Sequence, residues 1–317
     1  MNHRNISILI GLSLFAVIGG GCSELPVKER NATIPTTAKK LSLQDDLYPL
    51  KLHSDEWEKP VPLDGSVNTA GAEDSPFITP DGKTLYFFFT PDASIPPQNQ
   101  VNDGVTGIWM SNKIGDVWSE PKKVQLSKNG RDALDGCEFV QGDVLWFCSA
   151  RKNNFRSIDF YTAKRNGEKW TSVRNAGERL NKELEIGEMH ITSDGQEMYF
   201  HSSRPDGHGK MDVWGIARKG DGWSDPRNVS AINTEEDEGW PFVSSDGKEL
   251  WFLRYYQGSP SIWRSKKADS DWSKPELILS SFAGEPTLDD AGNLYFVHHY
   301  IRDGKIIEAD IFVAYKK

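Results

Sequence analysis

Carboxylates recur along this chain just ahead of five aromatic strands. They are Glu73 and Asp74, Asp135 and Glu138, Glu185 and Glu188, Glu236, Asp237 and Glu238, and Glu285. If folding gathers them at one place, like charges at short range drive some of them toward the protonated form. Arginines or a bound cation would relieve the repulsion. Arg151, Arg204 and Arg254 follow the aromatic strands of the second, third and fourth segments, where they can pair with the acids. A repeated ring of such pairs is a structural device. Carboxyls that escape the pairing are free for ligand binding or for acid/base chemistry. Because the acids recur with the repeat, the salt-bridge ring is the favoured reading. Glu73, Glu138, Glu188, Glu238 and Glu285 are the candidates for ligand contact.

Two further residues break the repeat. Trp240, in Glu238-Gly239-Trp240-Pro241, stands where the first segment has Ser75 before Pro76. An indole at an acidic site can stack on a sugar face or pack between neighbouring sheets. His190 falls where the first and fourth segments have Phe77 and Phe242. It is either a hydrogen-bonded core histidine or a proton shuttle beside Glu188. His298 and His299 are adjacent, so strand alternation sends them to opposite faces and argues against joint metal binding. Residues 206–212 read as a Gly-rich turn. No nucleophile elbow, phosphate-binding loop, HExxH or dinucleotide fingerprint is present, and no metal or cofactor is expected beyond a cation in a central channel.

The elements that must position these residues are short hairpins. Five end in Tyr86-Phe87, Trp146-Phe147, Tyr199-Phe200, Trp251-Phe252 and Tyr295-Phe296, after turns such as Pro80-Asp81-Gly82 and Ser245-Asp246-Gly247. The Phe positions 87, 147, 200, 252 and 296 set a period close to the roughly 40–50 residues that a four-stranded propeller blade needs. Each hairpin but the last is followed by another strand and then a Trp strand, beginning at Trp118, Trp170, Trp223 and Trp272. The missing fifth Trp strand sits at the front, as Trp57-Glu58-Lys59-Pro60. Joining it to the last hairpin would close a ring and remove an open sheet edge. The expected fold is all-β, a five-bladed β-propeller over residues 51–317 with an N-terminal strand completing the last blade. The loop over 90–107 is long for a compact domain and would border one end of the ring.

Residues 1–22 are a different object. Ile6 to Ile18 is an apolar run too short to span a bilayer comfortably, and Gly19-Gly20-Gly21-Cys22 follows. The arrangement resembles a bacterial lipoprotein signal with Cys22 as the lipidated residue, although Gly stands where the usual motif has Leu. Residues 23–50 are polar and read as a flexible tether. The chain carries a net charge of −9, and an acidic surface argues against nucleic acid or anionic lipid as partners. The membrane is expected to be met only through the lipid. Counting across the two-residue turn at Gly142-Asp143 places Cys137 opposite Cys148; the sequence leaves disulfide and free thiols both open.

The pattern of Glu, Pro or Phe, Asp-Gly and Leu-Tyr-Phe, with Asp212-Val213-Trp214, Asp310-Ile311-Phe312 and the Trp-Ser-x-Pro strands, resembles the TolB-type, WD-like propeller repeat of bacterial envelope proteins. The resemblance spans the chain after residue 56 and implies an exported protein that binds or scaffolds. The second segment departs most, with Gly142-Asp143 reversing the turn. The extra N-terminal domain of TolB is absent from this pattern, so a role in the Tol-Pal system is not implied. Five-bladed propellers also occur in glycosidases, arabinanases and β-xylosidases among them; by that analogy Asp74, Asp135 and Glu188 would stand as base, orienting acid and general acid. The sequence therefore supports an envelope-anchored propeller, on the periplasmic face or surface of an outer membrane, that binds a protein or glycan at an acidic mouth without catalysis. A carbohydrate-active enzyme and a structural spacer are the alternatives.

Overall fold

The computed structural model describes residues 28–64, 66–100, 103–127, 133–269 and 271–317. The leader and Cys22 lie outside them. No helix among the described residues is long and apolar enough to cross a membrane.

The Asp-Gly turns fold by a shared local mechanism. Asp81 Oδ1 accepts from the Thr79 hydroxyl and the Lys83 N–H, and Asp246 Oδ1 repeats this with Ser244 and Lys248. The aspartate closes the turn over a glycine at positive φ, as at Gly82 with φ 68°. Each turn then releases an apolar strand whose Phe is fully buried: Phe87, Phe147, Phe200, Phe252 and Phe296 are all 0% exposed.

These hairpins grow into antiparallel meanders. The first runs Ala72–Ile78, Thr84–Thr90, Gly107–Ile114, with Lys122–Lys123 at its edge. The second is Leu134–Gln141, Val144–Ala150, Asp159–Asn166 and Lys169–Asn175. The third is Met189–Ile191, Glu197–Ser202 and Asp212–Lys219, edged by Arg227–Asn228. The fourth is Glu238–Val243, Glu249–Tyr256, Ser259–Ala268 and Glu276–Ser280. The fifth is Ala283–Leu288, Leu294–Arg302 and Lys305–Ala314. Its outer strand comes from the front of the chain. Val61–Pro62 pairs with Phe312 and Val313, and Trp57 bridges Lys316. A single parallel pair, Ala309 with Ala72, joins the fifth meander to the first.

The N-terminal segment ties the fourth and fifth meanders together. Lys51–Leu52 adds to Glu276–Ser280. Arg264, itself fully buried, is sandwiched between Trp57 and Trp251 and ion-paired with Glu56, Glu249 and Glu276.

Two expectations are corrected. From residue 28 onward the expected tether, though largely exposed, is pinned to the protein at Arg30, Lys40 and Asp46. Arg30 is 2% exposed and donates to Glu73 Oε1 at 3.0 Å and to the Val67 carbonyl at 2.7 Å. Lys40 pairs with Glu308 and Asp310, and Asp46 with His298. The segment is polar because it reaches buried carboxylates, a pattern that composition alone does not separate from a linker. The other correction concerns Cys137. A β-bulge shifts the register between Gly136 and Phe139, so Gly136, and not Cys137, pairs with Cys148. Cys137 sits in the bulge at φ 53° and is disulfide-bonded to Cys148, with Cα atoms 5.3 Å apart.

Candidate functional site

The same bulge recurs in the inner strands and builds the site. Register shifts fall between Asp74 and Phe77, Gly136 and Phe139, Gly239 and Phe242, and Gly284 and Thr287. Ser75, Cys137, Trp240 and Glu285 take positive φ there, between 49° and 53°. For side-chain-bearing residues this backbone is sparsely populated, and the extra residue is re-aimed out of the ladder. The third meander has its shorter inner strand here, and Glu188 occupies the corresponding place. Each inner strand thereby contributes a triplet to one cavity of about 50 Å³: Ser75 to Phe77, Cys137 to Phe139, Glu188 to His190, Trp240 to Phe242, and Glu285 to Thr287. Its floor is aromatic. His190 packs against Phe77, Phe139 and Phe242, with ring centroids 4.4–6.1 Å apart.

Glu138, Glu188 and Glu285 line this cavity, and the charge of Asp74, next to the lining residue Ser75, acts on all three. Burial pushes the Glu188 carboxyl up to about 8, helped by the charge of Asp74 and opposed by a hydrogen bond from Trp240 Nε1 to Oε1 at 3.0 Å. Burial also drives Glu138 and Glu285 well above the ordinary carboxylate range, with the neighbouring carboxylates adding to it. Neither carboxyl oxygen of Glu138, nor Oε2 of Glu285, has a hydrogen-bond partner on another residue. A buried oxygen so placed is costly as an anion and far less so when protonated. Asp74 goes the other way. Burial would raise it, but His299 Nε2 at 3.2 Å and the Ser75 N–H at 2.9 Å hold it below the ordinary range. Among the described residues no group of three or more His, Cys, Asp or Glu is arranged to hold a metal ion.

The other acids form an outer shell. Glu73 accepts from Arg30 and from the N–H and hydroxyl of Thr69, and burial raises it to about 7. Glu238 repeats the arrangement with Arg254 and Thr234. Asp135 accepts from Arg151 at 2.9 Å and from Ser149. These acids are satisfied by cations and turns. The sequence pattern put Glu188 and Glu285 in line with Glu73 and Glu238, whereas they stand two residues further along, at the level of Ser75 and Trp240, Glu285 in a bulge and Glu188 ahead of a short strand without one.

Several expected site roles are corrected accordingly. Arg204 pairs with Asp206 at 3.3 Å and stacks on Trp214, away from Glu188. Of Asp74, Asp135 and Glu188 only Glu188 lines the cavity, so the three do not form one lining set; Glu138 and Glu285 line it with Glu188. His190 is held down to about 3 by burial and accepts the Val243 N–H at Nδ1, which suits a neutral core residue better than a proton shuttle. His298 and His299 do part company, toward Asp46 and Asp74. Residues 206–212 form a turn in which Asp212 accepts the N–H groups of His208 and Gly209. Sequence reasoning missed Arg30, His201 and the service of His299 to Asp74. A detectable signal was the pair Asn68-Thr69, repeated as Asn233-Thr234, each four or five residues ahead of its glutamate.

No family model matches the chain, and no curated protein matches it. Solved structures do. An endo-arabinase from Bacteroides thetaiotaomicron aligns with a TM-score of 0.50 at 13% identity, over 81% of this chain and 96% of that one. A GH62 hydrolase in complex with xylotriose aligns at 0.46 and 12% identity, over 83% of this chain and 98% of that one. A luciferin-regenerating enzyme aligns at 0.43 and 11% identity, over 81% and 95%. At such identities the likeness is one of fold: the chain is an all-β propeller, and its chemistry has to be argued from its own residues.

Proposed function

We propose that this chain is a five-bladed propeller, one meander per blade with Val61–Pro62 completing the fifth, and that it hydrolyses a glycosidic bond at the axial cavity. The observation that carries the reading is the divergence of two carboxyls sharing one site, Glu188 pushed up to about 8 and Asp74 held down. Pairs separated in this way supply an acid and a base at one pH. Glu188 gives its proton to the leaving glycosidic oxygen as that bond breaks. Asp74 takes a proton from the water that attacks the anomeric carbon. Glu138 and Glu285 stay protonated, in preference to holding a channel cation, and serve as donors to sugar hydroxyls. A cavity of about 50 Å³ has room for little more than a water. The sugar would therefore sit above it, against Trp240, with only its reacting atoms inside.

That small volume also supports a second reading, capture of a glycan or protein partner at the mouth without turnover. Product release from a panel of polysaccharides and oligosaccharides, read by mass spectrometry, separates the two. Products that vanish in Glu188→Gln support hydrolysis; binding without products supports capture.

We further read the protein as exported and lipidated at Cys22. The Cys137–Cys148 disulfide suits an oxidising compartment. Incorporation of labelled palmitate that is lost in Cys22→Ser is the expected result, and a soluble, unlabelled product would overturn it.

A further inference from the structure

The residue after each buried Phe occupies a wedge position between inner strands. It is Phe88, Cys148, His201, Leu253 and Val297 in turn. In three of the bulges the wedge packs on the glycine that opens them, Gly136, Gly239 or Gly284. A Cβ on Gly136 would lie 3.3 Å from Phe88, and one on Gly284 3.0 Å from Leu253. Three of the five wedges are plain hydrocarbon. The two exceptions both address residues that line the cavity. Cys148 is bonded to Cys137. His201 reaches two strands at once.

Its ring is wedged between Gly187 and Gly239. A Cβ on Gly187 would fall 2.1 Å from the imidazole, so only glycine admits the ring there, and one on Gly239 would lie a tight 3.1 Å from Nδ1. The N–H of Glu188 points at Nε2 at 3.2 Å, and the N–H of Trp240 at Nδ1 at 3.1 Å. The indole of Trp240 lies 5.0 Å from the ring. Glu188 and Trp240 are thus linked directly through their side chains, and His201 lies against the backbone N–H of both while accepting from one of them. A neutral imidazole accepts at one nitrogen and donates at the other, and an imidazolium accepts at neither. Burial, with Arg156 nearby, pushes His201 down to about 4, which keeps it neutral and able to accept.

We infer that His201 is a positioning residue that fixes Glu188 against Trp240 across the seam between the third and fourth meanders. The inference rests on the reading of Glu188 as the acid of this site, but its test does not need turnover. Besides Trp240, the groups that face Glu188 electrostatically are Asp74, Glu138 and Glu285. All three stay in place when His201 is changed.

The experiment is carbon-13 NMR of the side-chain carboxyls, with Glu188→Gln assigning the Glu188 resonance. His201→Leu fills the wedge as Leu253 does in the next meander, and His201→Gln retains an acceptor. With His201→Leu, Trp240 no longer holds the carboxylate, and the Glu188 midpoint rises by about 1 pH unit; with His201→Gln it stays near the wild-type value. A midpoint in folded His201→Leu that is unchanged or lowered overturns the inference. If His201→Leu does not fold, a midpoint in His201→Gln displaced as far as in Trp240→Phe overturns it as well. Absence of product on every glycan would count against the hydrolytic reading while leaving the NMR outcome decisive for His201.

Discussion

The indole N–H of Trp240 donates to Oε1 of Glu188 at 3.0 Å from a strand 52 residues further along the chain. One partner is fixed by a positive-φ bulge, the other by the strand beside it. The bond stabilises the ionised carboxylate, yet burial still wins and leaves Glu188 protonated at neutral pH. Hydrolysis that uses this proton should hold below about 8 and fall as pH rises through it. Glu188→Gln should lower turnover by roughly 10²–10⁴-fold and abolish that alkaline limb. A rate–pH profile of both proteins checks this.

The same group makes stability pH-dependent. Its folded pKa is raised from 4.5 to about 8, so between those values the folded state holds a proton that the unfolded state has released. Stability is therefore lost as pH climbs through that window. Glu188→Gln removes the loss. Thermal melts should show the variant above wild type at pH 8 and level with it at pH 4; equal gaps at both would contradict the assignment.

Arg30→Ala would strip the buried Glu73 of its cation. Leaving one member of a buried pair costs about 3–5 kcal/mol, and urea titration should show that loss. Because Glu73 is already pushed up to about 7, the penalty should shrink as pH falls and the carboxyl protonates. Arg30→Met with Glu73→Leu, which removes both charges, should recover most of the stability.

Reduction of Cys137–Cys148 opens a short loop of sequence separation 11. The expected cost is about 2–3 kcal/mol. Cys148→Ala should give the same loss without reductant and, by freeing the bulge that carries Glu138, should also weaken glycan capture measured by calorimetry.

What could be read from the sequence was what repeats. The Asp-Gly turns, the buried Phe positions and the displaced Trp57 strand follow from local chemistry and a period. Arg30 escaped because a polar stretch that docks on buried acids has the composition of one that docks on nothing. The meeting of Glu188 with Trp240 escaped because the bulge that re-aims Trp240 inserts a residue without leaving a fixed letter behind: Ser75, Cys137, Trp240 and Glu285 share a backbone shape and no side-chain type. His201 escaped for a related reason. Its role is to differ from the hydrocarbon at three equivalent places, and that contrast is visible only once the registers are known.

The joint made by the front of the chain with its end has a consequence for assembly. Lys316 reaches Glu56 across 260 residues of sequence, and Trp57 is 1% exposed because Lys316 covers it on one side and Arg264 and Trp251 on the other. Trp57 is therefore not fully covered until the strand that leads to Lys316 is in place. Contacts of such sequence separation form late and slowly. In the interval the fifth meander presents an open edge and a half-covered indole, which makes the partly folded chain, more than the native one, the species that holding chaperones would have to protect.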